Sequence, residues 1–122
     1  MGHSLGHAFE AAGGYGGLLH GEAVAYGLRA ATRIGVEAGV TPPERAARIG
    51  ALLDALGLAT TPLPYPLATV MGHLATDKKH AAGRLRWVLP TADGVVVRDD
   101  IDPALVERAA AGLLGAPSVS PR

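Results

Sequence analysis

From Glu22 to about Val40 the apolar positions Ala23, Val24, Tyr26, Gly27, Leu28, Ala30, Ala31, Ile34 and Ala38 recur at helical spacing. Arg29, Arg33 and Glu37 lie four apart on the other side and predict a solvated stripe. Ahead of this helix, residues 2–12 contain no breaker and predict a first helix from about Gly2 to Ala12, stopped by Gly13 and Gly14. Thr41-Pro42-Pro43-Glu44 predicts the start of a third helix, with Thr41 as its cap and proline in the first turn. That helix runs Arg45 to Leu56, with Ala46, Ile49, Leu52, Leu53 and Leu56 as an inward apolar stripe, and Gly57 ends it. Three prolines in residues 60–66 predict an extended connector. Leu67 to about Thr76 predicts a short helix with Val70, Met71 and Leu74 inward. Residues 85–89 and 94–98 are β-rich and flank an Asp93-Gly94 step, which predicts a small hairpin with Trp87 in its packing. Asp102 and Pro103 predict the start of a last helix reaching about Leu114.

The pattern is therefore mainly α, a multi-helix domain over residues 1–114 with one small hairpin, followed by a flexible tail at 115–122. Composition narrows the picture further. The 122 residues include 17 glycines but only one Phe, one Trp and three Tyr, which predicts a core closed by small residues rather than by large rings. Formal net charge is zero, which gives no electrostatic case for nucleic acid or an anionic membrane as partner. There is no cysteine, hence no disulfide framework and no thiolate chemistry. No apolar run approaches the roughly 20 residues of a membrane span, and no basic segment precedes an apolar one at the start. A cytoplasmic protein is expected.

Chemistry concentrates in Met1 to Glu22, which holds three of the five histidines. His3 and His7, four apart on a helix, share a face, and Glu10 follows on it. Four glycines at 13, 14, 16 and 17 make a tight turn possible. A second helix opening at His20-Gly21-Glu22 can then return His20 towards the first two. Three neutral imidazoles with an open position suit a catalytic zinc-type site. Spacing alone does not say which histidines ligate, and an i, i+4 pair is also common on ordinary helices. Asp77-Lys78-Lys79-His80 is a second polar knot. By composition it reads as a solvated helix end, lysines being favourable at the negative pole of the helix dipole. His73 and His80 read as surface residues.

The run Gly2-His3-Ser4-Leu5-Gly6-His7-Ala8-Phe9-Glu10-Ala11, then Gly14-Tyr15-Gly16 and Leu19-His20-Gly21-Glu22-Ala23-Val24-Ala25, resembles the C-terminal domain of 3-dehydroquinate synthase, a sugar-phosphate cyclase. Asp77-Lys78-Lys79, Gly83-Arg84-Leu85-Arg86-Trp87-Val88-Leu89-Pro90, Gly94-Val95-Val96-Val97 and Asp99-Asp100-Ile101 extend the resemblance to about Leu114. It implies the helical C-terminal half of a dehydroquinate synthase-like fold. The family's N-terminal NAD-binding α/β domain has no counterpart in these residues, which contain no GxGxxG between a strand and a helix.

The resemblance implies a phosphate-eliminating carbon–oxygen lyase of the shikimate pathway, serving aromatic amino acid biosynthesis. Such enzymes convert 3-deoxy-D-arabino-heptulosonate 7-phosphate to 3-dehydroquinate with NAD and a divalent metal, zinc or cobalt. It places His3 and His20 on metal ligands, His7 on an active-site histidine beside the substrate, and Lys78 or Lys79 on the lysine that meets the anionic substrate. Glu10 and Glu22 match the motif as groups that orient the histidines. The family's third metal ligand is a glutamate upstream of this block. The expected partners are an anionic sugar phosphate, an NAD-binding domain or partner chain, and a second copy in a homodimer when complete. These 122 residues alone are expected to lack activity. A related cyclase of secondary metabolism and a non-catalytic helical metal-binding or interaction module are the alternative readings.

Overall fold

The computed structural model describes residues 3–13, 20–80, 83 and 85–114. Five helices and one hairpin follow in the order α1 (His3–Ala12), α2 (His20–Glu37), α3 (Pro43–Ala55), α4 (Leu67–His80), β1 (Trp87–Pro90), β2 (Val95–Arg98) and α5 (Pro103–Ala111). The predicted glycine turn at 14–17 and the tail at 115–122 lie outside the described residues, apart from Gly13, whose N–H still donates to the Phe9 carbonyl at 3.1 Å.

α2 is the central element. Its buried positions Ala23, Tyr26, Ala30, Ala31 and Ile34 follow the 3–4 spacing read from sequence, and α1, α3, α5 and β1 all pack on it. Small residues fill part of the core, with Ala8, Ala23, Ala30, Ala109 and Ala110 buried, but large aliphatic and aromatic groups carry the rest, the largest fully buried being Phe9, Leu5, Ile34, Leu89 and Val70. Trp87 is buried with them, as assigned from sequence. β1 and β2 pair antiparallel, Trp87 opposite Arg98 and Pro90 opposite Val95. The turn between them is closed by the Thr91 N–H to the Gly94 carbonyl at 2.9 Å, with Gly94 N–H returning to Thr91 Oγ1 at 3.1 Å. Asp102 caps α5 as expected, its Oδ1 accepting from Ala104 N–H at 2.9 Å.

Four local expectations are corrected. Thr41 does not cap α3. Pro42 occupies the cap position with no side-chain bond, and Thr41 Oγ1 instead donates to the Pro90 carbonyl at 2.6 Å, tying the α2–α3 turn to the hairpin. The α3 stripe is only partly inward: Leu53 is buried, whereas Leu52 and Leu56 are 60% and 62% exposed. Only one flank of α3 meets α2. The Arg29–Arg33–Glu37 row is not a purely solvated stripe. Arg29 bonds Asp54 of α3 at 2.7 Å and the Leu58 carbonyl at 2.9 Å, and Glu37 accepts from Arg108 of α5 at 2.8 Å. Finally α4 runs on to His80 instead of ending near Thr76, and His73 on it is half-buried rather than a surface group.

Two consequences are measurable. A Cβ at Gly35 would overlap Thr41 Oγ1, so Gly35→Ala must break or displace the buried Thr41–Pro90 bond. It is expected to destabilise the fold by about 1–3 kcal/mol. In combination with Thr41→Ala the loss should be well below the sum, because the second change removes the obstructing hydroxyl. Denaturant titration of the four proteins checks this. The second concerns Tyr26, whose hydroxyl donates to the Thr61 carbonyl. Burial, assisted by the Glu22 carboxylate, raises its phenol above the usual 10.0. The neutral form therefore favours the fold. Its contribution is complete below pH 10 and is lost as pH rises through the higher folded value. Stability should fall above about pH 10, and Tyr26→Phe should flatten that part of the curve.

Candidate functional site

The helix starts are placed by two close approaches. Gly6 of α1 lies against the backbone of α2, where a Cβ would stand 3.1 Å from the Ala23 carbonyl oxygen and 3.7 Å from Val24 Cα. Three residues on, the Phe9 ring meets Tyr26 edge-on, centroids 6.2 Å apart at 70°. Gly6 with Ala23 and Phe9 with Tyr26 advance together, so α1 and α2 run parallel in a register of seventeen residues. The same register carried back one turn sets the backbone of His3 level with that of His20, each at the first residue of its helix. His7 lies one turn further along α1. The side chains of His3, His7 and His20 lie outside the described residues.

The second polar knot comes to the same end of the molecule. A Cβ at Gly13 would collide with the Tyr65 hydroxyl, so the end of α1 meets the approach to α4. α1 and α4 pack on one another. They are therefore antiparallel. Ten residues of helix rise about 15 Å, which sets His3 at about the level of Asp77. Lys78 and Lys79 are both exposed on the last turn of α4. Lys78 shares a face with Met71, Leu74 and Ala75 and stands at the rim of a cleft. Lys79 projects from the side opposite Val70, a buried position. Glu10 is half-buried and Glu22 exposed, and both are engaged in further contacts.

Among the described residues no three metal-ligating side chains cluster. No helix there is long and apolar enough to cross a membrane. The described sheet is the two-stranded hairpin, with no parallel layer of the kind that holds a dinucleotide.

Reading the sequence missed the part played by Gly6 and Gly13. Both permit helix contacts that fix the level of the histidines. The signal for Gly6 was present, a glycine one turn after His3 inside an otherwise good helix, where it costs stability unless close approach requires it.

Residues 1–80 match the family described as 3-dehydroquinate synthase C-terminal. The 3-dehydroquinate synthase of Pseudoalteromonas atlantica is 42% identical over 109 residues, covering 87% of this chain and 30% of that protein. That of Nostoc punctiforme is 40% identical over 114 residues, covering 92% and 31%. The chain thus spans about 30% of the length of these curated relatives. Among solved structures, 2-deoxy-scyllo-inosose synthase, in complex with carbaglucose-6-phosphate, NAD+ and Co2+, superposes with a TM-score of 0.76 at 25% identity, over 93% of this chain and 34% of that one.

Proposed function

This chain belongs to the 3-dehydroquinate synthase C-terminal family, and on that premise we propose that it is the metal- and substrate-binding part of a 3-dehydroquinate synthase. The reaction would convert 3-deoxy-D-arabino-heptulosonate 7-phosphate to 3-dehydroquinate and phosphate. The observation that carries this reading is the parallel α1–α2 register, which sets His3 and His20 level at one end of the molecule.

A divalent metal, zinc or cobalt, fits this arrangement: two imidazole-bearing positions open adjacent helices at one level, and imidazole suits both ions. His3 and His20 would hold it. When bound, such an ion supplies Lewis-acid polarisation of a substrate oxygen. His7, one turn along α1, would exchange a proton with substrate. Lys78 or Lys79 supplies a cation for the carboxylate or phosphate of the sugar, at about the level of His3. Glu10 and Glu22 would hold the imidazoles in orientation. NAD finds no fit in the described residues, so its site is assigned to the part of the relatives that this chain does not span. The solved 2-deoxy-scyllo-inosose synthase supports a second reading, a cyclase acting on another sugar phosphate. The relatives near 40% identity favour the first.

The test is an activity assay on two proteins. The 122-residue chain with substrate, NAD and Co2+ should show no turnover. The same chain joined to the preceding 70% or so of the Pseudoalteromonas relative should form 3-dehydroquinate, and should lose that activity on His7→Ala. Turnover by the chain alone would overturn the division of the site. A folded, metal-binding chimera that never turns over would overturn the functional reading.

A further inference from the structure

The most exposed large apolar side chains among the described residues are Leu52 and Leu56, both on the outer side of α3. With half-buried Ile49 they repeat at intervals of three and four, the spacing of a seam between two helices. Single exposed leucines need no explanation, but two of them one turn apart, extended by an isoleucine, make a patch. Among the described elements α3 packs chiefly on α2, through the flank that carries Leu53, and the seam faces outward. Ala51 and Ala55, exposed beside it, leave room for a close approach.

The charges of α3 run against its own dipole. Arg45 stands four residues before Ile49 and Arg48 four before Leu52, so both border the seam near the positive pole of the helix. Neither forms an ion pair among the described residues, and Arg45 Nε is shut off from solvent without a hydrogen-bond partner. The last turn of α3 carries no basic residue. Arg29 reaches Asp54 and the Leu58 carbonyl at that end, but from the side turned to α2. One occupant answers both features, a second α3 running antiparallel. About a dyad at the level of Leu52 and Leu53, Ile49 lies level with Leu56 of the copy and Leu52 lies beside its own counterpart. Arg45 and Arg48 then lie over the negative pole of the copy. A copy of the same helix meets these requirements by symmetry.

We infer that two copies of this chain associate through α3, antiparallel about a dyad at Leu52, with Leu52 and Leu56 covering one another and Arg45 and Arg48 at the carbonyl end of the opposite helix. The contact lies within these 122 residues and does not depend on the reaction proposed above. A seam of three apolar residues a side makes a small interface, with a dissociation constant on the order of 0.1 mM.

Sedimentation equilibrium of the 122-residue chain, from about 10 µM to about 1 mM, should show an average mass rising towards that of two chains. Leu56→Lys should raise the dissociation constant at least about tenfold, because an ammonium group must then be desolvated in the seam. Arg48→Gln should raise it about three- to tenfold. Both side chains are exposed, so the far-UV circular dichroism should not change. The chain has no cysteine, so Leu52→Cys sets a lone thiol beside its own copy. Air oxidation should link it into a dimer, whereas Ala104→Cys, exposed on α5, should stay monomeric. A chain that remains a monomer at about 1 mM overturns the inference. A dimer that Leu56→Lys leaves intact, or equal cross-linking of the two cysteine variants, overturns it as well. So does a monomeric chain in which Leu56→Lys destabilises only the form joined to the preceding part of the Pseudoalteromonas relative, since the face would then be covered within one polypeptide.

Discussion

Alanine at His3 or at His20 is expected to weaken Co2+ binding by this chain at least about a hundredfold, since even groups that only orient a ligand are worth 10- to 100-fold. The prediction follows from register. Gly6 on Ala23 and Phe9 on Tyr26 set the starts of α1 and α2 side by side, so the two imidazole-bearing positions belong to different helices. Removing either leaves one imidazole, and the double variant should be little worse than either single one. His7→Ala should keep affinity within a few-fold, because His7 is one turn away from that level. The visible absorption of bound Co2+, titrated in each variant, decides this. Equal losses for His3→Ala and His7→Ala, with His20→Ala neutral, would instead support the i, i+4 pair on α1 and sink the cross-helix reading.

That contrast marks where sequence reasoning stopped. The helical pattern of α2, the glycine-limited α1, the hairpin around Asp93-Gly94 and the Asp102 cap are local properties, written in spacing and turn chemistry over a few residues. Which histidine lies beside which is a property of two helices in register. Spacing within α1 can only offer His7 as the neighbour of His3. The proposed pairing with His20 entered through family resemblance, and what supports it is two small contacts between the helices, one of them at a glycine whose missing Cβ lets the backbones close. The part of the site that decides ligation geometry, the imidazoles themselves, lies outside the described residues.

The misreadings share a cause. Thr41 has the right residue type for an N-cap, yet Pro42 takes the cap position and the Thr41 hydroxyl donates to the Pro90 carbonyl 49 residues away. Arg29, Arg33 and Glu37 have the spacing of a solvated row, yet Asp54 and Arg108 arrive from α3 and α5 to pair with two of them. Leu52 and Leu56 continue an apolar stripe, yet α2 covers only the flank that carries Leu53. In each case a long-range partner, or its lack, overrode a local signal. At α4 the local signal was the weaker one. The bound near Thr76 fell one turn short, while the reading of Asp77-Lys78-Lys79-His80 as a solvated helix end holds, both lysines standing exposed on the last turn, where the dipole favours them.

The contact that links fold to site is also the one whose loss should cost most stability. Phe9 is the largest of the fully buried side chains, and its ring meets Tyr26 at the α1–α2 contact. Phe9→Ala should destabilise the chain by about 3–5 kcal/mol, the range for a buried aromatic replaced by a methyl group. Domains of this size hold roughly 5–15 kcal/mol in all, so much of the margin would go. Phe9→Leu, which keeps most of the volume, should lose far less. The two variants also separate packing from ligation. With α1 loosened from α2, the alanine variant should lose Co2+ affinity together with stability, although Phe9 carries no donor atom. Excess Co2+ should then raise its melting temperature, because binding to the folded form alone shifts the equilibrium towards it. Urea melts of both variants with and without Co2+ test the coupling. An alanine variant that lost stability but bound Co2+ as the parent does would mean that the α1–α2 register does not hold the site.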